Sequence, residues 1–235
     1  MNSLPDFLAI YQDPGVGFSL WLTIRVALLT LVLHLVAGLL LGYLLSRPAF
    51  PGRGLLDALV TLPLVFPPIA MGFALLLLFG RRGLLGTRLE QMGLELIFTL
   101  HGVALAAFLA GLPLVVKPIQ TALESVAARL GEVARTLGKN ELEIFFLVQI
   151  PNIRRALATG LILGLGRSLG EVGITLMLGG NIAGKTNTLS LEIYNAVFSG
   201  DYPRAAALSI LLGMASLGIF FLLRLLSCRK STHRE

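Results

Sequence analysis

Residues 26–45 read VALLTLVLHLVAGLLLGYLL, twenty positions without one charged side chain. A helix of about 20 mostly apolar residues is what it takes to cross the hydrocarbon core of a bilayer, so this stretch decides the fold class. Four more mostly apolar stretches follow, at 55–79, 97–116, 157–178 and 205–226. The whole chain agrees: of 235 residues 55% are hydrophobic and 14% charged, with a mean hydropathy of +0.83, whereas soluble domains carry about 25% charged residues. The expectation is a single all-α integral membrane domain over 1–235 with about five transmembrane helices. The first, third and fifth spans are uninterrupted. The second holds Pro63, Pro67 and Pro68, and the fourth holds Arg167 and Glu171. The segment from Met1 to Pro14 carries Asp6 and Asp13 and no basic stretch, so no signal peptide is expected there.

Basic residues orient the spans. The loops 46–54 and 117–156, with Arg224 near the end of the fifth span and the tail after it, hold twelve Lys and Arg residues, against five on the other side. The positive-inside bias makes the richer side cytoplasmic, with the amino terminus outside and the carboxyl terminus inside. The same bias accounts for most of the net charge of +6, so no nucleic-acid partner is expected. Cys228 is the single cysteine, sits in the tail and reads as inert.

The cytoplasmic loop 117–156 is helical in composition. Ile119, Leu123, Val126 and Leu130 share one helical side, and Gly138 permits a helix-ending turn. A second helix from Glu141 to Gln149 carries Leu142, Ile144, Phe145, Phe146 and Leu147 and runs up to Pro151, which is expected to limit it. Two short helices with an apolar ridge form a shape suited to a groove on a partner. The same residues packing on their own bundle is the plainer reading. Within the spans, Gly38/Gly42, Gly160/Gly164 and Gly166/Gly170 let backbones approach closely, and packing inside one subunit is preferred to a dimer contact.

The loop residues Glu132-Val133-Ala134-Arg135-Thr136-Leu137-Gly138, nine further residues and then Val148-x-Ile150-Pro151 resemble the EAA loop of ABC importer permeases, with apolar-for-apolar departures. The resemblance spans nearly the whole chain and is nearest the molybdate permease branch. It is carried by Arg47-Pro48-Ala49-Phe50-Pro51-Gly52, Leu62-Pro63-Leu64-Val65-Phe66-Pro67-Pro68, Gly80-Arg81-Arg82-Gly83-Leu84-Leu85-Gly86 and Arg167-Ser168-Leu169-Gly170-Glu171-Val172-Gly173. A last block is Gly180-Asn181-Ile182-Ala183-Gly184-Lys185-Thr186-Asn187-Thr188-Leu189. Tungstate and sulfate permeases share much of this pattern. The resemblance implies a type I importer bundle whose loop 132–138 with Ile150 and Pro151 couples to an ATPase. It further implies a second permease copy, two ABC ATPase subunits that bind ATP and Mg²⁺, and a periplasmic or lipid-anchored oxyanion-binding protein. No cofactor is implied on this chain, and oxyanion entry by alternating access is the expected activity.

Other motifs are weighed on their residues. Gly179-x-x-x-x-Gly184-Lys185-Thr186 fits the phosphate-loop spacing, but that loop needs a strand before it and a helix after it. Here a membrane span precedes it, so no nucleotide site is expected. Arg167 and Glu171, four residues apart on one helix face, can partly neutralise each other. They either border the aqueous route, with Ser168 and Thr175 nearby, or form a structural ion pair. Pro67 and Pro68 either kink the second span or open it onto a cavity. His34 and His101 stand alone, which suits packing or one hydrogen bond rather than a metal. No His-Glu-x-x-His, Ser/His/Asp set or paired aspartates mark an intramembrane enzyme; a carrier working without an ATPase is the other rival.

Overall fold

The computed structural model describes residues 10–47 and 50–228, and side chains other than those of 126–127 and 224–228. Pro48 and Ala49 of the tight turn, Asp6, the tail cations Arg229, Lys230 and Arg234, and the side chains of Val126, Arg224 and Cys228 therefore lie outside what is described. The described residues are helical, with no strand.

Helix α1 (Pro14–Ser46) is 33 residues long, on the order of 50 Å at 1.5 Å per residue. It begins well before residue 26 because Asp13 caps it, accepting the Gly15 N–H at 2.8 Å, and Pro14 takes a first-turn position where no N–H is needed. Its buried positions, among them Ser19, Val26, Thr30, His34, Gly38, Gly42 and Leu45, recur every three or four residues. That one stripe faces the bundle.

The central element is α5 (Leu100–Glu124), which packs between α1 and α7 (Glu141–Leu169). Small residues make the approach possible. A Cβ on Gly38 would meet Val115 Cγ1 at 2.6 Å, one on Gly42 would meet Ile119 Cγ2 at 2.6 Å, and one on Gly164 would meet Val115 Cγ2 at 2.4 Å. Gly160 of α7 also packs against α5, where a Cβ on it would stand 3.1 Å from Val115 Cα. These two pairs pack inside one subunit, as their spacing predicts. Gly166 and Gly170 meet nothing within 4 Å and play no such part.

Both spans that the sequence marks as interrupted are broken. The second is two helices, α2 (Arg53–Val65) and α3 (Pro68–Phe79), of 13 and 12 residues, separated at Phe66 and Pro67. The fourth is α7 followed by α8 (Gly173–Gly179), bent by 63° across residues 170–172. By length and composition α1, α5 and α10 (Tyr202–Cys228) can each cross a membrane, and the α7–α8 pair makes a fourth. Short helices α4 (Gly86–Gln91), α6 (Val126–Thr136) and α9 (Leu189–Phe198) complete the chain.

One expectation is overturned. Pro151 does not end the helix that starts at Glu141; that helix runs on to Leu169. Residues Ile144–Gln149 adopt π-helical turns, and the Ile150 N–H bonds back to Phe145 O, five residues earlier. Widening the turn just before the proline relieves the clash and missing donor that would otherwise stop the helix. Asn152 Nδ2 donates to Val148 O at 2.6 Å, occupying another carbonyl of the disturbed ladder.

Candidate coupling element and intramembrane charge pair

At one end of the bundle α6 is turned back against α7 by a fully specified stop. Gly138 has φ +80°, the Gly138 N–H bonds Arg135 O at 3.0 Å, and the Lys139 N–H bonds Ala134 O at 3.1 Å. That is the Schellman pattern, and its left-handed residue favours glycine. Two residues on, the Asn140 side chain accepts the Glu143 N–H at 2.8 Å while Glu143 Oε2 accepts the Asn140 N–H at 3.3 Å, a capping box that restarts the helix.

Charges lock the turn to the bundle. Arg135 donates from Nε to Glu141 Oε1 at 2.6 Å and from Nη2 to Oε2 at 3.2 Å, and Arg47 Nη2 reaches Glu141 Oε2 at 2.9 Å. The Arg47 guanidinium also lies 4.4 Å from the Tyr43 ring centroid, and that ring meets Phe145 edge-on at 4.7 Å. Hydrogen bonding from Arg135 holds the Glu141 carboxyl below its ordinary range, and Glu141 in turn raises Arg135. Arg53 pairs with Glu124 at 2.9 Å, and Lys117 pairs with Asp57. Arg47, Arg53 and Glu124, with Glu132, Arg135, Glu141 and Gln149, help line a cavity of about 720 Å³.

The apolar ridge is only partly where the sequence reading put it. Ile119 and Leu123 are buried in the core under the loop. The exposed apolar surface comprises Leu130, Leu142, Phe146 and Leu147 of that ridge together with Val133 and Leu137, with Leu137 76% exposed. Ala134 is buried, and its neighbour Gly131 lies close to Ile144 and Gln149, so α6 rests on the π-helical turns with small residues beneath. Thr136 turns its hydroxyl onto Val133 O at 2.7 Å. Ile150 is half-buried and Pro151 exposed.

Within the membrane region Arg167 Nη1 lies 2.7 Å from Glu171 Oε2, with side-chain exposures of 33% and 2%. The other carboxylate oxygen accepts the Ile174 N–H at 2.7 Å. Glu171 is thus both the partner of Arg167 and the anionic cap of α8, where a negative charge complements the helix dipole. Ser168 donates to Ala107 O at 2.6 Å, with Gly164 O at 2.9 Å. Ser168 and Thr175 are buried inside the single chain, whereas Arg167 and both Pro67 and Pro68 reach its surface. The two helix breaks meet: a Cβ on Gly173 would stand 2.9 Å from Pro68 Cβ and 3.1 Å from Ile69 N.

The segment with phosphate-loop spacing is closed on itself. Thr186 is fully buried, donates to Gly179 O at 2.6 Å and accepts the Ile182 N–H at 2.9 Å. A helix precedes it and Thr188 caps α9 after it. His34 makes one hydrogen bond, Nε2 donating to Phe108 O at 2.9 Å, and no group of three metal-ligating side chains occurs among the described residues.

Sequence reading missed Glu141, whose partner Arg47 is 94 residues away, and the Asn140 cap. The Asn-x-x-Glu spacing signals the cap; nothing in the sequence signals the Arg47 contact.

Comparison with known proteins adds three findings. The family "Binding-protein-dependent transport system inner membrane component" matches residues 34–231. The sulfate transport system permease protein CysT of Salmonella typhimurium is 36% identical over 97% of this chain and 82% of its own length. The molybdenum transport system permease proteins ModB of Escherichia coli K12 and Azotobacter vinelandii are 38% and 39% identical, over 83% and 89% of this chain and 88% and 92% of theirs. Among solved structures, a bacterial ABC transporter involved in alginate import superposes with a TM-score of 0.77 at 18% identity, covering 99% of this chain and 85% of that one. A second structure of that importer, in complex with a pentasaccharide-bound periplasmic protein, also gives 0.77. That likeness is one of fold.

Proposed function

We propose that this chain, which belongs to the family of inner-membrane components of binding-protein-dependent transport systems, imports a small tetrahedral oxyanion, molybdate in the first instance. It is a multi-pass, non-catalytic permease component, and ATP hydrolysis belongs to a separate subunit. The observation that carries the substrate reading is the set of relatives: molybdenum and sulfate permeases match over most of the chain. Sulfate and molybdate are tetrahedral dianions of one shape and charge. Molybdate is preferred because the blocks at 47–52, 62–68, 80–86, 167–173 and 180–189 resemble the molybdate permease branch. Sulfate and tungstate are the alternatives.

In the proposed assembly two copies form the pore and two ATPase subunits, holding ATP and Mg²⁺, grip the exposed Val133 and Leu137 face of each α6. The α6 end faces the cytoplasm, so the amino terminus lies outside and the carboxyl terminus inside. A periplasmic or lipid-anchored binding protein delivers the anion at the opposite end; the alginate importer crystallised with its periplasmic protein supports this part.

The geometry supports a lever. α7 is continuous from Glu141, where Arg135 and Arg47 hold the coupling tip, to Leu169, beside the Glu171 cap of α8. When the ATPases close on ATP, movement of α6 passes along this helix to the break at 170–172. There the adjoining break at Pro67 and Pro68 lets the route open outward. Arg167, one-third exposed, draws the anion into that route, and hydrolysis resets the bundle.

The test is uptake into vesicles holding the permease, its ATPase and its binding protein. Radiolabelled molybdate should enter only with ATP and be displaced by unlabelled molybdate more effectively than by sulfate. Full uptake without the ATPase would overturn the class, and stronger displacement by sulfate would overturn the substrate.

A further inference from the structure

Where α1, α5 and the α7–α8 break meet there is a small cavity of about 20 Å³. Its polar lining is Thr23, Thr30, Ser168, Glu171, Thr175 and Thr188, all buried. Most of these groups have partners. Thr23 Oγ1 donates to Ser19 O at 2.7 Å and accepts the Leu189 N–H at 2.9 Å, and Thr188 accepts the Leu191 N–H at 3.4 Å. Ser168 and Glu171 are engaged as described above. Thr30 is different: it is 0% exposed, and its hydroxyl has no partner among the described residues.

A buried hydroxyl left unbonded is costly, and polar cavities above about 10–15 Å³ hold an ordered water when several polar groups surround it. The other candidate occupants fit poorly. A tetrahedral oxyanion would lie against the Glu171 carboxylate, with the nearby Arg167 already paired to that carboxylate at 2.7 Å. A bare cation would exchange its hydration shell for neutral hydroxyls beside a carboxylate that Arg167 already neutralises at 2.7 Å.

We infer that this cavity is a structural water site, in which one water molecule bonds the Thr30 hydroxyl and the polar side chains of the α7–α8 break. The water ties α1 to the base of α8 through an exchangeable contact. A water can trade partners as α8 pivots, whereas a direct side-chain bond holds one geometry. Thr30 is then a positioning residue, acting on the break through the water and touching no substrate.

The deciding variant is Thr30→Val, nearly isosteric and without the hydroxyl, in the permease assembled with its ATPase. If the hydroxyl is bonded to water, its loss lowers the apparent Tm by about 2–4 °C. An unchanged or raised Tm overturns the inference, since removing an unbonded buried hydroxyl does not destabilise. High-resolution cryo-electron microscopy gives the second readout. One solvent peak against Thr30 in the wild-type complex supports the site. A dry cavity there, or density that takes up thallium in place of potassium, overturns it, even should Thr30→Val fail to assemble.

Discussion

Glu141 stands between two arginines, accepting from Arg135 at 2.6 and 3.2 Å and from Arg47 at 2.9 Å. One carboxylate therefore fastens the turn after α6 to the end of α1, 94 residues away in sequence. The side chains are 36–49% exposed, so the network adds little to global stability. Its effect is to fix the angle of α6.

Glu141→Gln should leave the apparent Tm nearly unchanged while lowering ATP-driven uptake several-fold, as the coupling tip loosens. The pH dependence follows from the sign of the shift. The folded carboxyl is depressed by Arg135, so its contribution is present above the ordinary carboxylate value of about 4.3 and is lost only as pH falls through the lower, folded one. Coupling through this contact should be flat from about pH 6 to 8. A loss of uptake in that window that vanishes in the glutamine variant would refute the assignment.

Gly138→Ala places a Cβ on a residue at φ +80°, which costs roughly 1–2 kcal/mol. Nothing lies within 4 Å of that Cβ, so the effect is backbone strain and stays local. The expected outcome is a correctly inserted permease that copurifies poorly with its ATPase. Full copurification would show that the turn is dispensable.

Gly164→Ala and Gly166→Ala form a matched pair on one helix. The first drives a methyl to 2.4 Å from Val115 Cγ2, while the second meets nothing within 4 Å. Overpacking of this kind costs about 1–3 kcal/mol, whereas an unhindered alanine gains up to about 1 kcal/mol in a helix. Melting of the detergent-solubilised chain should separate the two variants in opposite directions.

Arg167→Gln leaves the Glu171 carboxylate, 2% exposed, without its counter-charge, a loss of up to about 3–5 kcal/mol. Reduced protein levels are expected. Adding Glu171→Gln removes the stranded charge and should restore them. If Arg167 draws the oxyanion, the restored double variant still imports poorly. Normal uptake would make the pair purely structural and remove Arg167 from the route.

Much of this protein was legible in the chain itself. Long uncharged runs such as 26–45 dictate membrane helices because lipid offers backbone groups no partners, and α1, α5 and α10 follow from that alone. Gly138 announced its turn, since few other residues tolerate a left-handed backbone there. Pro67 and the stretch around Glu171 announced breaks, and the four-residue glycine spacing announced where α1 and α7 meet α5. Other features needed the tertiary structure. Pro151 reads as a helix stop, and only the π-helical turns before it let α7 run on, an adjustment that local pattern does not encode. Ile119 and Leu123 share a helical face with Leu130, yet packing against Val115 and Ile153 takes them into the core and leaves Val133 and Leu137 outside. The bonds from Arg47 to Glu141 and from the Leu189 N–H to Thr23, like the cavity at Thr30, join positions far apart in sequence. Short-range periodicity reports which face of a helix is apolar; which neighbour that face meets is decided only when all the helices pack at once.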